Sequence, residues 1–135
     1  MKYLIIFLII LISGVAVIFA AHNTDSVMRR QSDGTYIVNT STLCAAKGFR
    51  GVTPVEVYIR DGVVVKIVTI KNNESPNYFE KVKKYLLPLF SNVKIKKAKK
   101  ISQGEKPDGC TGATYSTRAV QANITAALEY YEVHK

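Results

Sequence analysis

The residues best suited to chemistry in this chain lie close together, between Asp108 and Thr117. Asp108, Thr111, Thr114, Ser116 and Thr117 surround Gly109, Gly112 and Ala113, and an amphipathic run follows directly. A helix beginning here would present unpaired N–H groups and the positive end of its dipole, with almost no side-chain bulk in the way. Such ends receive anions, and phosphates are the commonest case. Gly112 and Ala113 leave room for the ligand, and Ser116 and Thr117 add hydroxyl donors. The Thr114 hydroxyl stands where it could hydrogen-bond a phosphate or be esterified to it. The same residue types also serve as helix caps, and glycine before a helix is ordinary punctuation. Composition alone leaves the two readings balanced.

No other constellation competes. The two cysteines, Cys44 and Cys110, are far apart and lack metal spacing; they could pair in a domain outside the cytoplasm, but each reads sooner as a small buried apolar side chain. His22 and His134 sit near opposite ends of the chain. No zinc site, Walker loop or serine–histidine–aspartate triad can be assembled from these residues. Tyr115 beside the helix start reads as a core aromatic sooner than a stacking platform.

The elements that must position the Asp108–Thr117 segment follow from the patterning of the chain, which has 135 residues. Residues 1–21 are almost wholly apolar and long enough for one membrane span, with a poor cleavage site, so an uncleaved signal anchor is expected. The positive-inside rule nearly ties for its orientation, with Lys2 on one side and Arg29 and Arg30 on the other. Residues 22–33 are polar and read as a juxtamembrane linker. A single domain is expected over 34–135, opening with a strand in "TYIVNTST".

"VEVYIRDGVVVKIVTI" predicts a hairpin turning at Asp61-Gly62, with Val63, Val65 and Ile67 on one face of the return strand. Ser75-Pro76 predicts a helix start, with Phe79, Val82, Leu86 and Phe90 along it and Pro88 at its end or at a kink. A further strand is expected across "NVKIKKAKKI". A last helix is expected from Ser116 to Glu132, burying Val120, Ile124, Ala127, Leu128 and Tyr131. The fold class expected is α+β: a mainly antiparallel sheet with two helices packed on it, preceded by one N-terminal transmembrane helix.

The formal net charge of +9 is concentrated in lysines from Lys94 to Lys106. A solvated lysine face accounts for most of it. Binding of single-stranded nucleic acid would call for aromatics between the lysines, and "KIKKAKKI" has none, so no nucleic-acid partner is expected.

"DGCTGAT" resembles the flavinylation motif of the FMN-binding domain family: Asp, two variable residues, Ser or Thr, then Gly-Ala-Thr or Gly-Ala-Ser. Asp108, Thr111, Gly112, Ala113 and Thr114 match, and Cys110 replaces the usual aliphatic residue. "KGFRGVTPVEVYIRDGVVVKIVTIKNNESP" is similar to the earlier block of that family, including its Asn-Glu-Thr-Pro-Gly loop. That loop here is Asn73-Glu74-Ser75-Pro76-Asn77, so two of its residues differ.

The resemblance covers residues 34–132 and implies FMN joined to Thr114 by a phosphoester. A separate magnesium-dependent flavin transferase would make the bond, with FAD as donor. Glu74, Ser75 and Pro76 would lie toward the flavin ring. Related domains occur in subunits of the sodium-pumping NADH:quinone reductase and the Rnf complex, and in stand-alone membrane-anchored proteins. The resemblance thus implies a single-pass protein of the bacterial cytoplasmic membrane, with its domain outside the cytoplasm. Its partners would be membrane or extracytoplasmic redox proteins. It would act as an electron carrier rather than a complete enzyme. The alternative is a membrane-anchored binding module that never carries flavin.

Overall fold

Val55, Val57 and Ile59 alternate with Glu56, Tyr58 and Arg60. The computed structural model, which describes residues 25–135, turns this alternation into strand β3 (Val55–Arg60) with all three apolar side chains buried. Asp61 and Gly62 have φ of 53° and 72°, the two-residue turn expected, and it leads into β4 (Val63–Thr69). The return strand departs from simple alternation. Tyr58 pairs with Lys66 and Ile59 with Val64, which leaves Val65 as an extra residue in a bulge. The bulge reverses the faces on the turn side of it. Val64 enters the core, while Val63 and Val65, expected to share a face with Ile67, are only half-buried.

β2 (Tyr36–Asn39) pairs antiparallel with β3, as the first strand expected. A shorter strand, β1 (Met28–Arg30), lies on the outer side of β2 and buries Met28. It falls inside the 22–33 stretch expected as linker, so the folded domain starts earlier than residue 34. Its entry is fixed by Asp25, whose Oδ1 accepts the Val27 N–H at 2.8 Å and the Met28 N–H at 3.3 Å. The expected anchor at residues 1–21 lies outside the described residues. Among the described residues no helix is long and apolar enough to cross a membrane.

Helix α1 (Pro76–Lys81) begins as expected, with Ser75 at the N-cap position and Pro76 in the first turn, although Ser75 makes no side-chain cap bond. It passes through a π-helical turn, Val82–Leu86, and closes in a 3-10 turn, Leu87–Phe90, that contains Pro88. Phe79, Val82, Leu86 and Phe90 are all buried.

The strand expected over residues 92–101 is corrected. Only Val93–Lys94 is extended, as β5, and α2 (Ile95–Ser102) follows at once. Ile95 and Ile101 pack against the core and Ala98 enters it, a spacing of three that outweighs the alternation of Val93 and Ile95. The lysines therefore stand on a helix. Lys96, Lys97 and Lys100 are exposed, and Lys99 pairs with Glu132 at 2.9 Å.

The sheet is a five-stranded antiparallel meander in the order β1-β2-β3-β4-β5. The last helix, α3 (Thr114–His134), crosses it and contacts β2 and β3. The fold is α+β as expected, and among the described residues there are three α-helices where two were expected on the sheet. Val120, Ile124, Ala127, Leu128 and Tyr131 are buried as expected.

A buried polar group fixes the register of α3 against the sheet. Asn123 Oδ1 accepts from the Thr40 hydroxyl at 2.7 Å, and Asn123 Nδ2 donates to the Ala119 carbonyl at 2.9 Å. Thr40 Oγ1 in turn accepts the Val55 N–H at 2.9 Å. Burial without such partners would cost more than the bonds gain, so the network selects one placement of the helix.

Candidate functional site

The Asp108–Thr117 segment sits at the N-terminal end of α3. A short 3-10 turn, Asp108–Cys110, is closed by the Thr111 hydroxyl, which donates to the Asp108 carbonyl at 2.6 Å. Cys110 is fully buried, and both cysteines are free thiols. Gly112 takes φ of +86°, a conformation that side chains rarely adopt, and this swings the chain into the helix. Gly109 is required for a different reason: a β-carbon there would overlap the ring of Tyr85.

The position of the hydroxyls decides against capping. Ala113 occupies the N-cap with φ −110° and ψ 35°, and no side chain caps the helix. Thr114 is the first helical residue and half-buried; Ser116 and Thr117 come third and fourth, and both are buried. The first intrahelical bond here runs from the Thr117 N–H to the Ala113 carbonyl at 2.9 Å, so the preceding N–H groups are left for another partner. Thr117 Oγ1 is fully buried and unpartnered among the described residues. An orphan hydroxyl in such a place is uncommon and suits a ligand or water acceptor.

A cavity of about 150 Å³ opens beside this turn, lined by Phe49, Tyr78, Gly112, Ala113, Tyr115 and Ser116. Three of the six are aromatics held at the surface: Phe49 is 63% exposed, Tyr78 41% and Tyr115 70%. Tyr115, expected in the core, therefore lines the mouth. Phe49 and Tyr78 meet edge to face, with ring centres 6.4 Å apart. Lys81 supplies the cation, its Nζ donating to the Thr111 carbonyl at 2.7 Å. That ammonium lies 3.5 Å from where a Gly112 β-carbon would stand.

Glu74 joins three segments behind this cavity. Its Oε1 accepts the Phe49 N–H at 2.8 Å and the Ser116 hydroxyl at 2.8 Å, and its Oε2 accepts the Arg50 N–H at 2.6 Å. A side chain at Gly48 would overlap this carboxylate, so the glycine is what lets the 47–52 loop close over it. Glu74 is only 7% exposed and belongs to none of the ion pairs among the described residues.

Of the residues singled out in the sequence, Gly112, Ala113 and Ser116 line the cavity, and Thr111 and Thr114 flank it in the chain. Asp108 is exposed and closes the turn through its backbone. Glu74 stands one hydrogen bond behind the wall. Ser75 and Pro76 begin α1, and both Glu74 and Pro76 line a separate cavity of about 350 Å³. Phe49, Tyr78 and Lys81 were not singled out as site residues. Phe49 lies in the Lys-Gly-aromatic stretch noted in the sequence. Tyr78 and Lys81 are three apart on α1, a weak surface signal beside the buried Phe79 and Val82.

A cavity of about 470 Å³ lies between the Asp61-Gly62 turn, β5 and the end of α3. Tyr131, which lines it, is about 25 Å along the helix from Thr114. None of the Asp108–Thr117 residues reaches that cavity. Among the described residues no cluster of His, Cys, Asp and Glu could hold a metal ion.

The residues at the α3 mouth fit a phosphate joined to an aromatic ring system. The free N–H groups of the first helical turn and the Lys81 ammonium suit an anion, and exposed aromatics form the rim. The family model described as the FMN-binding domain matches residues 48–129, which contain every residue of this site. No curated protein and no solved structure matches the chain.

Proposed function

The chain belongs to the FMN-binding domain family, and from that premise we propose that it is a membrane-anchored, extracytoplasmic electron-transfer flavoprotein carrying FMN on the Thr114 hydroxyl. The observation that carries the attachment point is the uncapped start of α3, where Thr114 is the first helical residue beside the positive-φ Gly112. In the attachment, the Thr114 oxygen forms a bond to the flavin-side phosphorus of FAD. The pyrophosphate bond breaks, AMP leaves, and the hydroxyl proton goes with it. A separate flavin transferase supplies the catalysis.

The shallowness of the site favours a tether. A cavity of about 150 Å³ is well below the roughly 300–1,000 Å³ usual for small-molecule pockets. Non-covalent retention in so small a cleft would be weak, and outside the cytoplasm a released cofactor is diluted away. A covalent link keeps the effective concentration high without a deep pocket. The group supplies electron transfer when bound. The chain's own residues would hold the phosphate at the helix mouth, and Phe49, Tyr78 and Tyr115 would line the rim beside the ring system.

The apolar run at residues 1–21 supports the membrane anchor, and an electron carrier held there would serve membrane or extracytoplasmic redox proteins. The test is to export the full chain alongside a flavin transferase and examine the denatured protein for flavin fluorescence. A fluorescent band supports the reading. A dark band of folded protein would favour the non-flavin binding module.

A further inference from the structure

We propose that Glu74 is a positioning residue that never contacts the flavin: it holds the Phe49 wall against α3 and sets the flavin's reduction potential through its buried charge. The inference rests on the flavin reading of the site above. Its three partners are two backbone N–H groups and a hydroxyl, a donor set that suits an ionised carboxylate. Two of those partners, Phe49 and Ser116, are cavity-lining residues, so the charge lies one hydrogen bond behind the surface the flavin would occupy. No cation lies within ion-pair distance of it among the described residues, and its hydrogen-bond partners are all neutral dipoles.

Two consequences follow from electrostatics. The loop from Lys47 to Val52 closes through its own Gly48–Gly51 bond of 2.7 Å and packs Gly48 against Ser116, but its hydrogen bonds toward α3 run through Glu74. Removing the carboxylate oxygens frees the Phe49 ring from the mouth. Electrons taken up by the flavin add negative charge to the cavity, which a fixed negative charge behind the wall opposes. The native potential is therefore held low.

The test uses the full chain in two forms, exported without and with a flavin transferase. In flavin-free protein, Glu74→Gln should speed hydrogen exchange at the Phe49 and Arg50 amides, while amides of β3 keep their protection. In flavinylated protein, dithionite titration should show Glu74→Gln reduced more easily, by about tenfold in the equilibrium constant, or about 30 mV for a two-electron couple. Glu74→Asp, which keeps the charge, should stay nearer the native potential. If Glu74→Gln does not fold, Ser116→Ala takes its place: loss of the hydroxyl dipole should lower the potential further. An unchanged potential in the folded Gln variant, or in Ser116→Ala, overturns the proposal. Absence of flavin from the native protein would refute the flavin reading instead, with the exchange result still deciding the clamp.

Discussion

Lys81 Nζ donates to the carbonyl of Thr111 at 2.7 Å, which ties α1 to the turn that precedes Thr114. The contact fixes that turn and also places a positive charge beside Gly112, at the end of α3 where the dipole is positive. Lys81→Met removes both, whereas Lys81→Arg keeps the charge. With limiting transferase, the Met variant should carry several-fold less flavin per chain than the native protein, and Arg should recover most of it. The flavin-to-protein absorbance ratio reads this directly, and equal ratios would remove Lys81 from the site.

Gly109 faces the Tyr85 ring with no room for a β-carbon. Gly109→Ala should destabilise the domain by about 1–3 kcal/mol, the range for overpacking. Tyr85 is 41% exposed, so trimming it costs little. The double variant Gly109→Ala with Tyr85→Ala should be more stable than Gly109→Ala alone. Urea unfolding of the four proteins completes the cycle.

The Asn123 network makes a separate prediction, away from the flavin. Asn123→Leu takes the amide partner from the Thr40 hydroxyl, which keeps its bonds to the Val55 backbone, and from the Thr53 hydroxyl, which lies 3.5 Å from Asn123 Nδ2. A loss of about 2–3 kcal/mol is expected from the unmet polar groups and the misfit volume. A urea midpoint unchanged from native would contradict it.

Asp25 links the start of β1 to the end of α3 by accepting the Tyr130 hydroxyl at 2.6 Å. That bond, foremost, holds the Asp25 carboxyl below its ordinary range, and the Val27 and Met28 N–H groups add to the shift. A depressed carboxyl stabilises the fold above the unfolded value of about 3.9, and the contribution fades as pH falls through the native value. The group is solvent-exposed, so the effect is small. Asp25→Asn should have a slightly lower urea midpoint than native at neutral pH, and the gap should close in acid. A gap that widened in acid would contradict this assignment.

Much of the fold was legible because its strongest patterns are local. Val55, Val57 and Ile59, the Asp61-Gly62 turn and the Ser75-Pro76 start behave as their spacing dictates. The misreadings arise where two periods fit one stretch. Val93 and Ile95 alternate as in a strand, while Ile95, Ala98 and Ile101 recur as in a helix, and packing settles it for α2. β1 has one buried residue and a local Asp25 clasp, too little apolar signal to stand out in a polar stretch.

At the site, the density of glycine and hydroxyl residues singles out Thr114 and its neighbours in the sequence, and the structure sets that segment beside the cavity. The sequence could not locate Tyr78 and Lys81, whose role depends on α1 packing beside the Gly112 turn. Nor does spacing reveal that Glu74 points toward backbone amides, since that depends on how the Gly48 loop folds over it.

The central claim is the bond at Thr114, and peptide mass spectrometry tests it most directly. The native chain and Thr114→Ala would each be exported with a flavin transferase, denatured and digested. The peptide containing Thr114 should be heavier by one FMN less a water in the native chain alone, while both proteins unfold at similar urea concentrations. Flavin retained by the Ala variant, or found on another peptide of the native chain, would contradict it.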